Sequence, residues 1–94
     1  SFMFSLDLKS PEDIDNFIEQ ANETSLKLFK RDDEFTDEYV ETDALSMDEK
    51  IKDIEIMIEY FIENGERYED CAILHKVKDK IINHKINNLY KITN

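Results

Sequence analysis

Cys71, His75 and Asp79 recur at i, i+4 and i+8, which would line three types of metal ligand along one helix face. No second Cys or His cluster completes a zinc site, and His84 lies about half a turn away from His75. Cys71 therefore reads as a packing residue. Asp33, Phe35, Asp37 and Tyr39 alternate as the ligands of a calcium loop would. That stretch has no central glycine, and aromatic rings stand where oxygen ligands belong. No Ser, His and acid arrangement is distinctive. Gly65 is the only glycine, so no glycine-rich loop can cradle a phosphate. The residues suggest no catalytic group, cofactor or metal, and the chain reads as a non-enzyme.

Carboxylates are what remain. The chain holds 23 acidic and 12 basic residues, a net charge of −11 over 94 residues. Residues 76–94 hold five lysines and one acid, for +4, so residues 1–75 carry −15. Asp15, Glu19 and Glu23 form one i, i+4, i+8 row, and Glu55, Glu59 and Glu63 form another. Neighbours in such a row sit ~6 Å apart along the axis and repel by ~0.2–0.5 kcal/mol per pair, or about 1–2 kcal/mol for the four pairs. The spacing is close to the ~7 Å phosphate repeat along one DNA strand. These rows have two readings: a recognition surface for something positively charged, or a solvated face that keeps the chain dispersed. Residues 32–43 add seven acids and no base, among them Asp32, Asp33, Glu34, Asp37 and Glu38. This stretch either docks externally or folds back on the lysine-rich end.

Such a balance argues against direct binding to nucleic acid or to an anionic membrane, and for a basic protein surface as partner. Ninety-four residues suit one domain. Hydrophobic residues are 40% and aromatics 11%, too apolar for a disordered tail. The single Cys71 excludes an internal disulfide and fits a reducing cytoplasm. No apolar run approaches the ~18 residues of a membrane span, and the start is not signal-like. Heavy use of Ile, Lys and Asn fits an AT-rich genome of the kind many phages have.

The elements that must position the carboxylates are helical, since only one Gly and one Pro interrupt the chain. The fold class expected is all-α, a three-helix domain built on an antiparallel hairpin. Phe2, Phe4, Leu6 and Leu8 alternate in an arm over 1–9, extended or a short strand. Ser10-Pro11-Glu12-Asp13 opens a first helix over 11–29, with Ile14, Phe17, Ile18, Ala21, Leu28 and Phe29 as its inner face. Residues 32–45 are expected as an acidic loop, with a short strand around Tyr39 pairing with residues 2–8. Ser46 and Glu49 match a capping box and open a second helix over 47–64. Its inner stripe is Met47, Ile51, Ile54, Met57, Ile58, Phe61 and Ile62, widened by Ile56 and Tyr60. Asn64-Gly65 stops it, and a third helix runs over 67–91. At ~1.5 Å per residue the third helix reaches ~36 Å against ~27 Å for the second, so its end should overhang. Ile86, Leu89 and Tyr90 on that overhang are candidates for self-association into a homodimer.

Tyr68, Glu69, Cys71-Ala72, Leu74 and Ile81 resemble the second helix of the UVR motif, a small hairpin shared by the B and C subunits of bacterial excision nucleases and by some chaperone adaptors. The similarity covers residues 54–84. His75 and Lys76 replace that family's Arg-Asp pair, and Lys78 stands where an apolar residue is usual. The resemblance implies a protein–protein contact module that docks on a partner or pairs with itself.

Two functions are expected from these features. The first is a small acidic regulator or adaptor that docks on a basic surface of a larger protein. The second is a viral inhibitor that imitates nucleic acid, acting in a host cytoplasm on a defence or DNA/RNA-binding enzyme.

Overall fold

The structure, a computed structural model, describes residues 10–93. The expected arm over 1–9 lies outside the described residues. Four helices follow in order: α1 (Pro11–Arg31), α2 (Asp33–Glu41), α3 (Met47–Glu63) and α4 (Tyr68–Thr93), with no strand among the described residues. The domain is all-α.

Local chemistry sets the helix starts. The Ser10 hydroxyl accepts from the Asp13 amide at 3.2 Å, Pro11 sits in the first turn, and Glu12 and Asp13 face the positive end of the dipole. Ser46 and Glu49 form both halves of a capping box at the start of α3. Between α3 and α4 the chain reverses through Asn64, Gly65 and Glu66. Gly65 has φ 128, a backbone state that side chains rarely adopt, and Glu66 follows at φ 50.

Two expectations need correction here. Residues 32–45 are a loop only over 42–45, and Tyr39 is not in a strand: Asp33–Glu41 is a fourth helix. Asp32 ends α1 and starts α2, its carboxylate accepting from the Phe35 amide at 3.0 Å. Asp33 and Glu34 sit in the first turn, where acids stabilise a helix. Phe35, Thr36, Tyr39 and Val40 share the inward face, and Phe35 and Tyr39 each place a ring 5.3 Å from Phe29 of α1. Packing thus holds a nine-residue helix too short to persist alone.

The second correction concerns faces. On α1 the buried residues are Leu26 and Phe29, while Ile14, Phe17, Ile18 and Leu28 remain 38–44% exposed. Only the second half of α1 closes on the core. On α3, Ile56 and Ile62 are also exposed, so its inner stripe is narrower than its apolar content.

The centre of the domain is α3 against α4. Ile54, Met57, Ile58 and Phe61 meet Cys71, Leu74, Val77 and Ile81, all at helical spacing and all buried. Cys71 Sγ approaches the Ile58 carbonyl at 3.6 Å, and Lys78 Nζ meets Glu55 at 2.7 Å. Residue numbers rise on α4 as they fall on α3, so the two run antiparallel. α1 packs on α2 and α4, and α2 on α4 as well.

One charge lies inside this frame. Lys50 of α3 is 5% exposed, and its ammonium donates to the Val40 and Thr42 carbonyls at the C-terminal end of α2. α2 has no basic residue in its last turn, so α3 supplies the cation that its dipole favours.

Candidate functional site

The two carboxylate rows are broken by cations. In the α1 row, Glu23 is half-buried and accepts from the Arg67 guanidinium. Arg67 also binds Asp70, with Nε at 2.8 Å and Nη2 at 2.7 Å, and Asp70 accepts from Lys30 at 2.9 Å. Glu23, Arg67, Asp70 and Lys30 thus form a neutral network that ties α1 to the start of α4. The Arg67 guanidinium carbon lies 4.6 Å from the centre of the Phe61 ring, within range for a cation–π contact. In the α3 row, Lys78 takes Glu55. Asp15, Glu19, Glu59 and Glu63 are exposed and make no ion pair among the described residues.

The network has a pH signature. The Lys30 hydrogen bond, then that of Arg67, holds the Asp70 carboxyl below the usual carboxylate range, against the opposing effect of burial. A carboxyl depressed by folding stabilises above its unfolded pKa, and that stability is lost as pH falls through the folded value. Stability should therefore decline as pH drops below about 4, the ordinary range for Asp. Asp70→Asn should lose stability at neutral pH and show a shallower acid decline. Urea denaturation of both proteins across that pH range checks the sign.

The α2 segment is different. Asp32 is used as a cap, but Asp33, Glu34, Asp37, Glu38 and Glu41 all point outward. None makes an ion pair among the described residues. No ion pair joins these acids to the lysines of α4, although α2 packs on that helix. The cation that meets α2 is Lys50, and it meets carbonyls.

Ile86, Leu89 and Tyr90 lie 45%, 51% and 63% exposed near the end of α4. Cys71 is buried, and burial, then Asp70, pushes its thiol up, so it is a poor nucleophile. His75 is exposed on the same helix, and no three His, Cys, Asp or Glu side chains converge on a common point among the described residues. No described helix is long and apolar enough to cross a membrane.

α1 and α3 run side by side without close packing, and a groove separates them. Carboxylates dominate its field. Partial burial, then Glu19 and Glu23, raises the phenol of Tyr60, and burial, then Asp53, pushes Tyr39 up to about 12. Sequence periodicity did not disclose this groove, nor Leu26, Lys50 or Arg67 as structural residues. Lys50 had a signal: it lies four residues before Ile54, on the buried stripe itself. Arg67 had a weaker one, the i, i+3 spacing to Asp70 directly after the turn.

Compared with known protein families, curated proteins and solved structures, the chain matches none.

Proposed function

We propose that this chain is a non-enzymatic binding protein that docks on a basic surface of a larger protein. The docking groups are the outward carboxylates of α2 (Asp33, Glu34, Asp37, Glu38 and Glu41) and the unpaired members of the two rows. The observation that carries this is the α2 surface: five exposed carboxylates in nine residues, none in an ion pair among the described residues. Outside α2, three acids are neutralised, Glu23, Glu55 and Asp70, and one member of each row is among them. Like charges this dense repel one another, and a cationic partner would relieve that repulsion. The resemblance of residues 54–84 to the UVR hairpin fits a docking role. A nucleic-acid mimic needs rows unbroken by cations, and Arg67 interrupts the α1 row while Lys78 interrupts the α3 row.

The test is a double charge reversal, Asp37→Lys with Glu38→Lys. Both sites are exposed and lie outside the first turn of α2, where acids are favoured, so the helix should survive. Basic proteins retained by the native chain should bind the variant at least about tenfold more weakly, because opposed charges become like charges. Their release from the native chain should rise steeply with salt. Equal retention by both proteins refutes the proposal, as does indifference to salt.

A further inference from the structure

The groove between α1 and α3 has an apolar floor of Phe29, Ile54 and Met57, and Phe35 and Tyr39 of α2 line the same stretch. Ile18, Ala21 and Ile56 form its lips. One stretch, about 300 Å³, lies over Met57; the other, about 400 Å³, lies beside Tyr60. Residue numbers rise along α1 as they fall along α3, so the two stretches lie end to end. Together the two stretches border α1 from Asp15 to Phe29, a span of ~21 Å, the length of a helix of about four turns.

Its charge is one-sided. Asp15, Glu19 and Asp53 line it, and no Lys, Arg or His does among the described residues. Ile18 and Ile56 stay 42% and 53% exposed at its lips, apolar surface that a bound helix would cover.

We propose that this groove takes an amphipathic helix of the partner protein, apolar on the face that enters and basic along both edges. The proposal rests on the docking reading above and names the partner's chemistry. Burial of the apolar face supplies affinity, and Asp15, Glu19 and Asp53 set the orientation of the cationic edges. Two other occupants match the groove less well in charge. Residues 1–9 carry one acid and one lysine, so they bring no net positive charge. A second copy of this chain brings a charge of −11.

The probe is a helical peptide of about 15 residues, matched to the groove length, with leucines on one face and lysines on the other. Its control is a scrambled peptide of identical composition, which cannot segregate the faces. The full chain, with Ile and Met methyls labelled for NMR, reports where each peptide sits. The segregated peptide should shift the methyls of Ile54, Ile56 and Met57. The scrambled peptide, and the segregated peptide on Ile56→Gln, should each bind at least about tenfold more weakly, through loss of apolar burial. Ile56 is exposed, so its replacement leaves the core intact.

Equal binding of both peptides overturns the proposal, since charge alone would then suffice. So do silent Ile54, Ile56 and Met57 methyls while the segregated peptide binds, methyl shifts that grow with protein concentration alone, or close contacts from residues 2–8 to the floor. The Asp37→Lys, Glu38→Lys variant separates this idea from the one beneath it. If that variant loses basic proteins while the groove methyls stay silent, docking stands and the groove does not. If it loses nothing and the groove methyls move, α2 docking fails and the groove stands.

Discussion

Lys50→Met should destabilise the protein by about 2–4 kcal/mol, although it removes a buried charge and keeps the apolar stem of the side chain. Two effects compete. Burial of an ammonium costs free energy, and methionine would relieve that cost. Against this, the ammonium satisfies the Val40 carbonyl at 2.8 Å and the Thr42 carbonyl at 2.5 Å. Each charge-assisted bond is worth ~1.5–3 kcal/mol, and a cation at a helix C-terminus adds up to ~2 kcal/mol when partly buried. No carboxylate pairs with Lys50 among the described residues, so the α2 end itself is the counter-charge. The bonds should win, because methionine offers those carbonyls nothing. Loss should begin at α2, with amide exchange accelerating over residues 36–42 before the α3–α4 pair responds. Lys50→Met as stable as the native chain in urea would mean that the ammonium is a burden and that aromatic packing alone holds α2. The consequence would reach the proposed docking, since α2 carries five of the carboxylates that make no ion pair among the described residues.

How far the sequence disclosed all this depended on the range of each interaction. Helix starts at Pro11 and Met47 were legible because Ser10, Ser46 and Glu49 act within three residues. The all-helical class was legible from the scarcity of Gly and Pro. α2 was not, although Asp32 caps it by the same chemistry. Seven acids masked a face of only four inward residues, and that face matters only once Phe29 is beside it. The α1 stripe was visible, but its coverage was not. Ile14, Phe17 and Ile18 repeat at helical spacing just as Phe29 does, and only the position of the neighbouring helices decides which are buried. The carboxylate rows both fall on helices, α1 and α3, as their spacing implies. Their partners, Arg67 for Glu23 and Lys78 for Glu55, lie 44 and 23 residues away and depend on a register that no local pattern encodes.

Phe61→Ala should have the largest effect of any single truncation, about 3–5 kcal/mol. That approaches the whole stability of a small domain, ~5–15 kcal/mol, so the variant should be partly unfolded at room temperature. Phe61 is fully buried on α3 and carries the Arg67 guanidinium on its ring face. Truncation would open a cavity and remove the surface that orients Arg67 toward Glu23 and Asp70. Phe61→Leu separates these parts. Leucine keeps much of the apolar volume and loses the π face, so its cost should be smaller, ~1–2 kcal/mol, with ~0.5–1 kcal/mol from the cation–π contact. A double-mutant cycle with Arg67→Met isolates that share. A coupling near zero would mean that the carboxylates alone position Arg67 and that Phe61 matters only as volume. A clear coupling would make the Phe61 ring part of the link between the buried core and the neutralised end of the α1 row. On that outcome the fold itself decides which carboxylates stay free to meet a partner.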